Sequence, residues 1–385
     1  MKIYIFTEVY FPDLTSSGYY ITEIAEHLAL NNNVTVITTG EITDSKSSVL
    51  NGVNIIRLKT PVFNKFNLWK RMLAFVNISF LFYRQASRLE IDEDCHVVTI
   101  TNPALFIPFI AYLKSKIKFK LTILVHDVFP EILVATNVLS LNNPIYLVLL
   151  RIFNKSYNKS DQIIVCGRDM RILFENKLKK YNGTIKFIPN WADGNLIYPI
   201  KKDNPVLYEN KLIFQFAGNI GRAQGIPNLI DAIKNINSSQ FEFHFYGNGT
   251  HLNSILQSNN ENIFYKGIFT RKDSNKYLNL CDIAIVTLEK NMLGLGVPSK
   301  TYNILCAGKP ILYIGDIDSE IAIMIKENNI GYIAEPGNLD SITNAIKWFL
   351  NLGNKEIKSI QINCRNVILD KYLKENVLMQ YSQII

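Results

Sequence analysis

A chain of 385 residues is too long for one ordinary hydrophobic core, so two domains are expected. Hydrophobic residues at 48% and charged residues at 19% exclude a disordered chain. The five cysteines (Cys95, Cys166, Cys281, Cys306, Cys364) are scattered, with no CxxC pair, which argues against a disulfide framework or a zinc site and fits a reducing cytoplasm. A net charge of +8 permits nucleic acid, anionic lipid or phosphorylated substrates as partners and does not choose among them.

The N-terminus, MKIYIFTEVYFP, reads as a strand running into a loop rather than a signal peptide. The most apolar runs, Met72–Tyr83 and Ala104–Leu113, fall short of the ~20 residues that cross a bilayer. The expectation is a soluble or peripheral protein.

Taken in order, Lys2–Phe6 is an apolar strand, the loop to Gly18 leads into a helix over Tyr19–Leu30, and Val34–Thr38 returns as a parallel strand. Further strands are expected at Val53–Leu58, Val97–Thr101, Leu121–Val125, Ile163–Cys166 and Ile185–Ile188. This half is a doubly wound α/β domain, in which a ligand sits beyond the carboxyl ends of the strands, near Gly18, Thr101-Asn102 and His126-Asp127. The charged, proline-containing segment Tyr198–Glu209 is the expected linker.

Beyond it the pattern restarts. Strands are expected at Leu212–Ala217, Phe241–Tyr246, Ile263–Lys266, Ile283–Thr287, Pro310–Ile314 and Gly331–Ala334, with a helix over Ile226–Asn235. The fold class is therefore α/β, with two Rossmann-like doubly wound domains facing a central cleft: residues 1–197, joined by a C-terminal helix at 369–385, and residues 198–368.

Three constellations can carry chemistry. In VPSKTYNILCAGKP (Val297–Pro310), entered through Gly294 and Gly296, Ser299 reads as a helix N-cap whose oxygen accepts an early N–H, and Gly308 as the helix stop. Ser299, Lys300 and Thr301 at the positive helix end suit an anion, although an ordinary capped helix fits the same residues. GNIGRAQG (Gly218–Gly225) is a strand end with three glycines and Arg222, a planar donor fork suited to a diphosphate, yet it is neither a dinucleotide fingerprint nor a Walker loop. In VHDVFPE (Val125–Glu131), His126, Asp127 and Glu131 at a strand end could serve acid-base chemistry or hold sugar hydroxyls. Asp127 could equally cap the next helix.

These three runs, in this order on two Rossmann-like halves, resemble the retaining GT-B glycosyltransferases of family 4, in the bacterial surface-polysaccharide branch that includes fucosamine-type transferases. The resemblance implies a nucleotide-diphospho-sugar donor, with UDP as carrier, bound by the C-terminal domain, and a lipid-linked saccharide acceptor bound by the N-terminal domain. It implies Gly18 facing the donor phosphates and His126 beside the sugar, with Asp127 and Glu131 completing the catalytic set. Gly218, Asn219, Arg222 and Gln224 would approach the diphosphate, Gly267 and Ile268 the base, and Gly296, Ser299, Lys300, Thr301 and Asn303 the phosphates, sugar or ribose. No cofactor or metal is implied, cations and a helix end stabilising the leaving diphosphate. A protein nucleophile is not required for retention in that family.

Two departures stand out. The family's Glu-x7-Glu pair falls on Leu295 and Asn303, neither acidic, and Gln224 replaces a frequent basic residue, leaving Arg222 and Lys300 as the phosphate cations. One more segment, residues 64–89, interleaves Lys65, Lys70, Arg71, Arg84 and Arg88 with aromatic residues. It reads either as an amphipathic core helix or as a peripheral contact with an anionic membrane, placing the protein in the cytoplasm at the inner face of the membrane. No nucleic-acid module accompanies it. A nucleotide-sugar epimerase and a catalytically silent nucleotide-sugar-binding protein are the alternative readings.

Overall fold

The computed structural model describes residues 1–13, 15–40, 47–60, 68–200 and 211–385. The chain divides into two compact units, Met1–Pro189 with Leu378–Ile385, and Asn190–Val377.

In the first unit, β1 (Lys2–Phe6), α1 (Ser16–Ala29) and β2 (Asn33–Thr39) form the opening strand-helix-strand turn, Ile3 pairing beside Val34. β3 (Ser47–Leu50) and β4 (Val53–Leu58) follow as a hairpin through Asn51-Gly52, both at positive φ. The chain then alternates through α2 (Leu68–Ala86), β5 (Cys95–Ile100), α3 (Phe106–Lys114), β6 (Lys120–Val125), α4 (Glu131–Ala135), α5 (Pro144–Tyr157), β7 (Gln162–Val165), α6 (Arg168–Lys177) and β8 (Thr184–Phe187). The sheet order is β3-β4-β2-β1-β5-β6-β7-β8, parallel except at β3. Both faces are covered, so the central strands read as unbroken apolar runs, and every residue of β5 is buried.

The second unit contains β9 (Leu212–Ala217), α7 (Ile226–Lys234), β10 (Phe241–Tyr246), α8 (Leu252–Leu256), β11 (Ile263–Gly267), α9 (Ser274–Leu278) and β12 (Ile283–Thr287). After these come α10 (Lys300–Cys306), β13 (Ile311–Ile314), α11 (Glu320–Asn328), β14 (Gly331–Ala334), α12 (Leu339–Leu350), α13 (Asn354–Lys371) and α14 (Lys374–Ile384). Its six parallel strands run β11-β10-β9-β12-β13-β14. Phe214 and Phe216 pack toward α7 and α12 on one face. Ile213, Ala284 and Val286 meet α10 and α13 on the other.

Three features differ from the sequence reading. The edge strand β3 was not foreseen. Residues 190–197 belong to the second unit: the Ala192 and Lys374 N–H groups donate to the Tyr372 and Ala192 carbonyls at 3.0 Å each, and Lys374 pairs with Asp193 at 2.6 Å. The single helix expected over 369–385 is two. Tyr372, buried edge-on against Tyr302, leaves helical geometry, and Leu373 forms a parallel bridge with Ala192 before α14 begins. Residues 201–210 of the expected linker lie outside the described residues, as do residues 64–67 and the side chains of 68–72 in the basic aromatic segment.

Candidate functional site

Three neighbouring strands of the second unit, β9, β10 and β11, end in glycines at positive φ, Gly218 at 143°, Gly247 at 133° and Gly267 at 92°. The ends are tied together by bonds from Gly218 N–H to the Tyr246 carbonyl at 3.0 Å and from Gly247 N–H to the Gly267 carbonyl at 2.8 Å. A Cβ on Gly247 would collide with the Gly218 carbonyl, so the backbones close up only because no side chain intervenes. At these ends lies a pocket of about 420 Å³, lined by Gly218, Asn219, Tyr246, Gly247, Asn248, Ile268 and Phe269, and by Lys300, Asn303 and Ile304 of α10.

α10 forms because its Tyr302, Leu305 and Cys306 side chains all bury in the core. Its stop is as expected: Gly308 sits at φ +67°, its N–H donates to the Leu305 carbonyl at 2.9 Å, and Lys309 N–H donates to the Ile304 carbonyl at 3.1 Å. Its start is not. Ser299 is itself in helical geometry and makes no capping bond, so the expected serine cap is corrected. Thr301 is fully buried, its Oγ1 without a hydrogen-bond partner, and is not on the pocket wall.

Lys300 is the electrostatic centre of the pocket. Its Nζ is buried with no hydrogen-bond partner and lies 3.7 Å from the centre of the Phe216 ring. Desolvation pulls the ammonium down to about 7. A ring face compensates only part of the cost of burying a cation, so an anion entering here is favoured. Asn303, half-buried one turn on, offers one carbonyl and one amide to the same space.

Of the expected donor residues, the pocket therefore gathers Gly218, Asn219, Ile268, Lys300 and Asn303. Gly267 ends the adjoining strand without lining the pocket, and neither Gly296 nor Ser299 lines it. Arg222 is exposed on the short turn Arg222–Gln224, and Gln224 accepts a bond from Thr287 Oγ1 at 3.4 Å. The aromatic wall was missed. Phe269 stacks on Tyr277 at 4.7 Å with the rings 7° apart, and Tyr246 meets both edge-on. The available signal was Phe269 standing two residues beyond Gly267.

In the first unit, the His126 and Asp127 N–H groups both donate to Thr101 Oγ1, at 3.1 and 3.2 Å, which pins the end of β6 to the end of β5. Desolvation pulls the His126 imidazole down to about 4, so it is neutral at pH 7. The protein around Asp127 raises its carboxyl to about 6 although the residue itself is open to solvent. Glu131 is committed elsewhere: it pairs with the buried Lys177 at 2.6 Å, and Lys177 also donates to the Phe129 carbonyl and lies over the Tyr157 and Phe174 rings. Gly18 is buried in the first turn of α1, where a Cβ would collide with the Asp13 carbonyl, as its place in the helix start requires.

Two Rossmann-like units, the second with a glycine-floored pocket at its strand ends, define a GT-B glycosyltransferase. Residues 17–195 match the family described as Glycosyltransferase Family 4, and residues 198–365 match Glycosyl transferases group 1. The chain is 34% identical over 347 residues to the probable glycosyltransferase WbjE of Pseudomonas aeruginosa, covering 88% of this chain and 86% of that one. It is 24% identical over 207 residues to the putative colanic acid biosynthesis glycosyl transferase WcaI of Escherichia coli K12, about half of each chain. Among solved structures, sucrose-phosphate synthase of Thermosynechococcus elongatus superposes with a TM-score of 0.77 at 14% identity, covering 100% of this chain and 98% of that one. HepE of Anabaena, solved with UDP, superposes at 0.72 and 13% identity, covering 100% and 99%. The chain belongs to the glycosyltransferases, its first half matching the Family 4 model and its second half the group 1 model.

Proposed function

We propose that this glycosyltransferase moves a sugar from a nucleotide-diphospho-sugar, with UDP as the carrier, onto a lipid-linked glycan during assembly of a bacterial surface polysaccharide, with retention at the anomeric carbon. The observation that carries the donor half is Lys300, a buried ammonium without a hydrogen-bond partner in a pocket floored by glycine backbone. The names of WcaI and of WaaG, a structural neighbour described as involved in lipopolysaccharide biosynthesis, support the polysaccharide setting.

On this reading the nucleoside lies along Ile268 and Phe269, Asn303 bonds ribose, and the diphosphate meets Lys300 and the N–H groups around Asn219. Arg222, carried on an exposed turn, adds a second cation. As the bond to the sugar breaks, negative charge grows on the departing diphosphate. A pre-positioned ammonium then gains more than it did in the ground state. In the first unit, neutral His126 donates to or accepts from a sugar hydroxyl, and Asp127, near its midpoint at about pH 6, is the group able to hold a proton of the acceptor hydroxyl. A resident metal is not needed, because the cations are side chains.

The test is incubation of the protein with a panel of UDP-, GDP- and dTDP-sugars and a lipid-linked saccharide, with the product's anomeric configuration read by NMR. One donor giving a product of unchanged configuration is the expected result. An inverted product would overturn the retaining assignment, and no transfer from any donor would overturn the reading itself.

A further inference from the structure

The first unit carries a surface that the donor pocket does not use. α3 packs between α2 and α5, so the three helices form one layer over the sheet. Each buries one apolar face, through Ile78 and Phe82, Phe106 and Ile110, and Tyr146 and Phe153. Each also exposes apolar side chains outward. On α5, Ile145, Val148 and Ile152 are 59%, 51% and 42% exposed, and Leu141, a turn before, is 64% exposed. Their spacing is that of a single helical stripe. On α2, Leu73, Val76 and Phe80 repeat the spacing at 66%, 51% and 53%. Tyr112 of α3 is exposed as well.

The charge pattern selects the occupant. The chain holds 33 Asp and Glu, yet none falls in residues 68–89, 104–120 or 132–160, which carry these helices. Arg84, Arg88, Lys116, Lys118, Arg151 and Lys155 on the same segments are exposed. A solvated surface mixes both signs. A second copy of the chain packed through the same face would bring like charges together. An anionic bilayer satisfies both features, taking the apolar stripes into the headgroup boundary and pairing the cations with lipid phosphates. Among the described residues no helix is long and apolar enough to cross a membrane, so the contact is peripheral.

We propose that α5 and α2, side by side with α3, form an anionic-membrane docking face whose apolar anchors are Leu141, Ile145, Val148 and Ile152. Residues 73–89 of the basic aromatic segment are then one edge of this face rather than the whole of it. The proposal rests on this surface and does not depend on the identity of the donor.

The test is flotation of the full chain with vesicles of phosphatidylcholine alone and with phosphatidylglycerol, at low and high salt. Wild type should float only with the anionic vesicles and detach as salt screens the headgroups. Arg151→Ala with Lys155→Ala should weaken partition about 30-fold, and Val148→Glu with Ile152→Glu should abolish it. Leu256→Glu, on an exposed residue of α8 in the second unit, should bind as wild type. These are surface changes, and unchanged thermal melting confirms that each variant folds. Absence of wild-type binding, or equal loss in the Leu256 control, would overturn the proposal. So would a wild-type dimer that Val148→Glu with Ile152→Glu makes monomeric while vesicle binding is unchanged. Nucleotide binding measured on the same variants should match wild type; its loss together with vesicle binding would reveal a fold-wide defect and overturn the assignment to this face.

Discussion

Lys300 shows how a single residue can trade stability for a site. Its folded ammonium loses its proton near pH 7 rather than near 10.5. Between those values the unfolded chain binds the extra proton, so stability rises with pH across that window, and burial of Lys300 is costly below it. Lys300→Met should therefore melt higher than wild type at pH 6, and the gap should close toward pH 10, as differential scanning calorimetry would show. Glu131 makes the opposite case. Glu131→Gln strands the buried Lys177 cation and should cost about 3 kcal/mol in urea unfolding. A variant with wild-type stability would return Glu131 to the list of free catalytic carboxylates.

At the scale of elements, the glycines divide into two kinds. Gly308 closes α10 at φ +67°, where alanine is strained, and Gly308→Ala should lower stability by about 1 kcal/mol without touching donor affinity. Gly247 holds two strand ends in backbone contact, and Gly247→Ala should cost more than about 3 kcal/mol and remove nucleotide binding with it. Equal, small losses at both positions, read by thermal melting, would contradict the distinction. Both glycines stood at ends of strands or helices that the apolar runs made plain. The parallel strands were legible for the same reason: buried on both faces, they leave unbroken runs of Ile, Val, Leu and Phe. β3, a four-residue edge strand with two serines, has no such run. The serine cap failed because a Pro-Ser pair signals a helix start without saying which residue turns helical first.

For the whole molecule, the family and its two-unit build could be read from three short motifs in order, because glycines at strand ends leave a spacing that survives in sequence. The boundary between the units could not. Residues 190–197 are tied to the second unit by contacts with 365–374, far away in the chain, which no local pattern reports. The aromatic wall of the pocket was hidden for a related reason: Tyr246 and Phe269, which line it, and Tyr277, which packs against both, come from separate elements and meet only when the sheet assembles. Within the motif at 297–310, the sequence pointed at Ser299, Lys300 and Thr301 alike, and burial separated them.

Contact between Lys300 and a diphosphate is the central interaction, and calorimetric titration of wild type and Lys300→Met with UDP and the other nucleoside diphosphates, at pH values from about 6 to 9, tests it directly. An anion that re-protonates Lys300 binds fully below pH 7 and loses up to about tenfold per pH unit above it, with proton uptake visible in buffers of different ionisation enthalpy. Wild type should show this slope with one nucleotide, and Lys300→Met should bind weakly with no slope. Equal affinity and equal pH dependence in the two proteins would contradict it.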